Sequence, residues 1–176
     1  MSTAPTQSNH LILKSTSIGT KLGPMIAIAD EKYLYLLEFA DRHGLAHKIE
    51  RVRKKMKADI ISGENKIIQK IKNELADYFD GKKCQFETPF ILNGSPFQKT
   101  VWNALQKIPH SETRSYLDIA KAVKKPTAFR AVANANSANQ LAIIIPCHRV
   151  INSNGDLGGY AGGITRKQWL INHERK

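Results

Sequence analysis

The strongest periodicity in the chain lies between Glu64 and Asp80. Ile67, Ile68, Ile71, Leu75, Tyr78 and Phe79 recur there at helical spacing, and Gly81 supplies a stop. An amphipathic helix is predicted. Ahead of it, Leu45–Lys57 predicts a helix with a heavily basic side formed by Lys48, Arg51, Arg53, Lys54, Lys55 and Lys57. Such a run is either a binding patch or, more commonly, a solvated helix face. Nearer the start, His10–Lys14, Met25–Asp30 and Tyr33–Phe39 read as short strands, with turn chemistry at Gly23-Pro24 and Asp30-Glu31. Strands this close in sequence predict an antiparallel meander. Residues 1–9 read as a disordered tail.

The second half predicts short helices. Ser95-Pro96-Phe97-Gln98 is a capping box with proline at the first helical position, followed by Val101, Trp102, Leu105 and Ile108 facing inward. Ser115 caps a helix carrying Leu117, Ile119, Ala120 and Val123, which Pro126 ends. A third helix is expected from about Thr127 to Asn136, nearly all of it small residues after Arg130. Two short helices around a tight break form the helix-turn-helix pattern, although any small helical domain contains such pairs. The small residues suit either tight packing on a neighbouring helix or close approach to another surface. Between the halves, Lys82–Gly94 reads as an interdomain linker, which divides the chain into residues 1–90 and 91–176.

Composition narrows the classes. The chain has 176 residues, 41% of them hydrophobic and 24% charged, which is ordinary globular usage. The longest apolar stretch without a charge, around Leu141–Cys147, is far short of a membrane span. The first ten residues carry neither the basic nor the apolar region of a secretory signal. Two cysteines, Cys84 and Cys147, cannot form a disulfide framework or a four-thiolate metal site, so a reducing, cytoplasmic setting is expected. Lysine and arginine number 27 against 15 acidic residues, a net charge of +12, which favours an anionic partner, nucleic acid above all.

The chemically informative segment is Ile143-Ile144-Ile145-Pro146-Cys147-His148-Arg149-Val150. Proline ends the apolar run, so Cys147 is expected at a strand end or turn, with an imidazole and a guanidinium directly after it. A nearby histidine can lower the thiol pKa or take its proton through a water. A lone cysteine after an apolar run is otherwise an inert buried thiol, and Cys84, beside only Lys83 and Gln85, is read that way.

Pro146–Val150 (PCHRV) resembles the active-site signature of the O6-alkylguanine-DNA alkyltransferases. Pro96-Phe97-Gln98, Val101-Trp102, Ser115-Tyr116, Arg130-Ala131-Val132, Asn139, Gly159–Gly163 (GYAGG) and Lys167–Glu174 (KQWLINHE) stand in that family's order and spacing. The resemblance is strong over about residues 90–176 and only general in layout over 10–90. Ala133 and Gln140 depart from the commoner pattern, and Ala138–Ile143 is closer to the alkyltransferase half of the bacterial adaptive-response regulator. The single cysteine of residues 1–90 excludes that regulator's metal-binding half. Alkyltransferase-like proteins that bind lesions without repair lack the cysteine present here.

The resemblance implies an α/β fold: a small N-terminal antiparallel sheet with helices, then a helical winged helix-turn-helix-like domain. It implies irreversible transfer of one alkyl group from guanine O6 in double-stranded DNA to Cys147. His148 would deprotonate Cys147 through a water, Glu174 would orient His148, and Tyr116 would protonate the departing guanine. Arg130 would fill the space of the flipped base, entering by the minor groove, with Ala131 beside it. Asn139, Val150, Tyr160, Ala161 and Gly162 would shape the guanine pocket. For Glu174 the plain alternative is an exposed near-terminal residue, and for Tyr116 a core tyrosine. No metal or organic cofactor, no membrane contact and a monomer are expected. A DNA-binding lesion-recognition or regulatory module and a cysteine hydrolase are the rival classes.

Overall fold

The computed structural model describes residues 10–82 and 85–176, so the N-terminal tail and Cys84 lie outside the described residues. Strands β1 (Leu11–Ile18), β2 (Met25–Ala29) and β3 (Leu34–Phe39) form the expected antiparallel meander. β1 continues to Ile18, four residues past its expected end. Helix α1 (Leu45–Met56) is followed at once by an unanticipated strand, β4 (Ala58–Ser62), and the left-handed Lys57 makes the turn between them. β4 pairs parallel to β1, giving the sheet order β3-β2-β1-β4. Leu45, Ile49, Val52 and Met56 of α1 pack on one sheet face with Leu13, Ile28, Tyr35 and Leu36.

The strongly periodic helix, α2 (Lys66–Phe79), lies on the other face, capped by Asn65, whose side chain accepts from the Ile68 amide at 3.0 Å. The stretch expected to be a linker is fastened down over its described part. The Leu34 amide donates to Pro89 O and the Ile91 amide to Leu34 O, both at 2.9 Å, which ties it to the edge of β3. The expected capping box is present at α3 (Pro96–Leu105), and Ser115 caps α4 (Tyr116–Ala122) in a second box closed by Asp118. α5 (Phe129–Ser137) begins two residues later than expected because Thr127 and Ala128 are spent in the turn after Pro126. Short parallel strands β5 (Arg114–Ser115) and β6 (Val150–Ile151) flank the α4–α5 pair. A last helix, α6 (Ile164–Glu174), had no expectation attached to it.

One core cluster runs from Met25, Leu34, Leu37 and Phe39 of the sheet, through α2, to Trp102, Leu105, Val132, Ile145 and Cys147. It is continuous across residue 90. Residues 140–142 lie beside β3, since the Leu37 amide donates to Gln140 O and the Ala142 amide to Leu37 O, each at 2.8 Å. The Trp102 indole donates to Ala135 O at 2.8 Å, locking α3 to α5. Among the described residues no helix is long and apolar enough to cross a membrane.

Gly94 is the point where this packing leaves no slack. A Cβ there would stand 2.5 Å from two Trp102 ring atoms and 2.9 Å from Gln98 Oε1. The indole cannot retreat without losing its bond to Ala135. Gly94→Ala is therefore expected to cost about 1–3 kcal/mol, read as a fall in Tm of about 2–4 °C for each kcal/mol.

Candidate active site

The site is a turn held at both sides. After α5 the chain passes beside β3, reverses at Ile143 with φ of 73°, and enters a single 3-10 turn at Cys147–Arg149. Asn139 spans the reversal. Its amide nitrogen donates to Ile145 O at 2.9 Å and reaches Cys147 Sγ at 3.2 Å, while its oxygen accepts from the Leu141 amide at 2.9 Å. Asn136, on α5, donates to the Cys147 carbonyl at 3.2 Å. The nucleophile candidate is therefore positioned by two asparagines, one of which the sequence reading left unremarked.

Burial decides the electrostatics. Cys147 is 6% exposed, and desolvation pushes its thiol up to about 11, only partly offset by the Asn139 hydrogen bond. Of the two routes by which a neighbouring histidine was expected to act, lowering the thiol pKa or taking its proton through a water, the first has no counterpart here, because at rest the thiol is neutral. His148 is fully buried, and burial lowers its pKa despite the Glu174 carboxylate, so its imidazole is neutral at pH 7. His148 Nε2 lies 2.7 Å from Glu174 Oε1. Donation by Nε2–H to the carboxylate leaves Nδ1 as the proton acceptor, and Nδ1 has no partner among the described residues.

Glu174 is not an exposed terminal residue. Its carboxylate also accepts from Tyr78 Oη at 2.7 Å and from Arg149 Nε and Nη2 at 2.7 and 3.0 Å, and Arg149 Nη1 donates to Ile108 O. Hydrogen bonds from His148 and Arg149 outweigh its desolvation and hold it well below the ordinary carboxylate range. Lys167, also fully buried, donates to Val150 O at 2.5 Å and Gly159 O at 3.2 Å. Desolvation lowers it to about 8, and its ammonium stands 5.8 Å from the Tyr116 ring centre. Tyr78, Arg149 and Lys167 were given no role from sequence, because a buried charge declares itself only through partners distant in the chain.

Tyr116, the first residue of α4, has its pKa raised by burial and by the nearby Cys147, so it keeps its proton. Cys147, Asn139, Tyr160, Ala161 and Gly162 line one cleft with about 10 Å³ of free space. Gly162 is needed there, because a Cβ would meet the Tyr160 ring at 2.8 Å and Phe39 at 3.0 Å. The Tyr160 hydroxyl is buried without a partner among the described residues. Arg130 and Ala131 stand apart from this cleft, exposed near the start of α5. Among the described residues no cluster of three metal-ligating side chains occurs.

From the sheet side, Glu38 of β3 pairs with Arg42 and with Lys48 of α1. Both cations reach the end of α5: Arg42 Nη2 donates to Ser137 O at 2.5 Å, and Lys48 donates to Asn139 O. Cations at the carbonyl end of a helix are favourably placed.

The fold and site thus define a class: α/β proteins with a cysteine–histidine–glutamate array built against a helix-turn-helix. The sequence model described as the DNA binding domain of 6-O-methylguanine DNA methyltransferase matches residues 96–176. The methylated-DNA–protein-cysteine methyltransferase of Methanosarcina barkeri is 41% identical, over 89% of this chain and 94% of its own. That of Salmonella typhimurium is 37% identical, over 93% and 96%. Among solved structures, Mycobacterium tuberculosis OGT in complex with DNA superposes with a TM-score of 0.79 at 34% identity, covering 94% of this chain and 93% of the other. The chain belongs to the methylated-DNA–protein-cysteine methyltransferase family.

Removing the central charge tests the array. Glu174→Gln leaves Arg149 buried and unpaired and should cost about 3–5 kcal/mol at neutral pH. The depressed carboxyl contributes stability above its unfolded pKa of about 4.3 and loses it as pH falls. Urea unfolding should therefore show a flatter pH dependence below about pH 4.3 in the variant than in the wild type. Parallel curves would remove Glu174 from this role.

Proposed function

We propose that the protein repairs DNA by direct reversal, moving the alkyl group of an O6-alkylguanine onto Cys147. The observation that carries the reading is a buried neutral thiol beside a neutral imidazole whose other nitrogen is fixed by a carboxylate. It is supported by family membership and by the DNA complex of the Mycobacterium tuberculosis relative.

His148 Nδ1 accepts the thiol proton through a water. The sulfur forms a bond to the alkyl carbon, the carbon–O6 bond breaks, and its electron pair stays on guanine. Tyr116 gives its proton to the guanine ring nitrogen, and the Lys167 ammonium offsets the charge left on the phenol. The cleft is smaller than a guanine, so admission of the base displaces Tyr160. Main-chain groups of Val150 and Ala161 read the guanine edge, and the Gly162 backbone lets the base come close.

The base reaches Cys147 only after leaving the helix stack. Arg130 and Ala131 on the small-residue face of α5 enter the minor groove, and Arg130 fills the gap. Residues 91–176 carry binding and chemistry, with residues 10–90 as support. The protein acts as a monomer, without metal or organic cofactor, in a reducing compartment such as the cytoplasm, where the thiol persists.

Incubation with duplex carrying labelled O6-methylguanine should move label onto Cys147 and stop at about one equivalent, since a thioether has no hydrolytic exit. Cys147→Ala should transfer nothing yet bind duplex within a few-fold of wild type, because affinity rests on phosphates. Continued turnover, or label on Cys84, would overturn the mechanism.

Arg130→Ala should slow repair in duplex at least about tenfold more than reaction with free O6-benzylguanine, because only the duplex substrate needs flipping. Equal slowing on both substrates would make Arg130 a structural residue.

A further inference from the structure

Helix α1 carries its basic residues in a stripe. His47, Arg51, Lys54 and Lys55 fall at i, i+4, i+7 and i+8, on the side away from Leu45, Ile49, Val52 and Met56. The stripe, with Lys48, lines an open groove of about 660 Å³ whose far wall is Ala138, the residue that ends α5. Among the described residues the only carboxylate in the groove, Glu50, is occupied by Arg53 at 2.7 and 2.8 Å, with Lys54 at 3.8 Å. Arg51 and Lys55 are exposed and have no carboxylate partner among the described residues. A stripe of like charge at helical spacing repels itself, so α1 keeps it at a cost that a polyanion would reverse.

Two observations connect this stripe to the helix that faces DNA. Lys48 and Arg42 grip the carbonyls of Ser137 and Asn139, which fixes α1 against the end of α5. The exposed side of α5, with Arg130, Ala131, Asn134 and Ser137, leads from its start toward that groove. Nine residues at 1.5 Å rise span about 13 Å, or roughly four base pairs at 3.4 Å each.

We propose that the α1 stripe is a second DNA-contact surface, gripping phosphates of the same duplex about four base pairs from the base opposite Arg130. This rests on the DNA-repair reading and extends it: the α5 region binds at the lesion, while residues 45–56 add affinity and lengthen the footprint on the flanking duplex. The occupant is the phosphate backbone, because every side chain lining the groove except Glu50 and Ala138 is basic, and Ala138 is too small to anchor a protein partner.

The test is binding of Arg51→Gln/Lys54→Gln/Lys55→Gln to two lesion-centred duplexes. One carries about ten base pairs on each side of the lesion and the other only about three, too short to reach α1. Glutamine preserves helix propensity, and an unchanged Tm together with an unchanged transfer rate at saturating duplex reports an intact fold and site. On the long duplex the slope of log K against log salt should shrink in magnitude by about 2–3, and affinity near 0.1 M salt should fall about tenfold or more. On the short duplex wild type and variant should bind alike, and Arg51→Lys should keep most of the long-duplex affinity. An unchanged slope on the long duplex, or equal losses on both, overturns the proposal. A loss confined to binding beyond the first equivalent also overturns it and gives the stripe to a second protein copy. The slopes are read from binding alone, so absence of alkyl transfer by wild type would defeat the repair reading without deciding this one.

Discussion

A buried carboxylate is the constraint on which this molecule turns. Glu174 sits in the last turn of α6, where an isolated charge would be too costly to desolvate. It is retained because Tyr78 of α2 and His148 and Arg149 of the 3-10 turn all donate to it. Ser111, ahead of α4, donates to its main-chain carbonyl. One ion therefore joins the helix that packs under the sheet, the turn that bears the thiol and the end of the chain. The imidazole tautomer is fixed by the same contact, so fold and chemistry draw on one interaction.

The second support comes from the sheet. β3 sends its backbone to residues 140–142 and its Glu38 to Arg42 and Lys48, which hold the carbonyls of Ser137 and Asn139. Asn139 then reaches Sγ itself. From Glu38 to the sulfur the path is three side-chain contacts, Glu38 to Lys48, Lys48 to the Asn139 carbonyl and the Asn139 amide to Sγ, within which Asn139 is the one residue of backbone crossed. The N-terminal half is thus part of what aims the cysteine, and its cations sit where the field of α5 is most negative.

What could be read from the sequence follows the range of the forces involved. The boxes at Ser95–Gln98 and Ser115–Asp118 are satisfied within four residues, so their helices were legible, as was α2, whose inward face is apolar apart from Glu74. β4 was not, because its five residues follow α1 at once and pair with a strand more than forty positions upstream. α6 was hidden for a different reason. Two of its four buried positions are Lys167 and Glu174, so its inward face does not look hydrophobic until their partners are known. Cys147 and His148 were legible through their local motif. Tyr78, Arg149, Lys167 and the Glu38 cluster were not, since each is defined by a contact far away in the chain.

The resting state of the thiol fits a protein that is consumed by its reaction. A nucleophile poised as thiolate would meet any soft electrophile that reached it, and each such encounter would end the molecule's use. Here desolvation holds Cys147 protonated up to about pH 11, and the cleft beside it, which Tyr160 helps to line, has only about 10 Å³ of free space. Both barriers act before a substrate arrives. Under the proposed function, a flipped guanine removes the second by displacing Tyr160 and sets an alkyl carbon beside the sulfur. The first falls only at that moment, because His148 is neutral and can accept the proton as the carbon–sulfur bond forms. Burial, which makes the cysteine look inert, thereby couples its reactivity to the presence of the lesion.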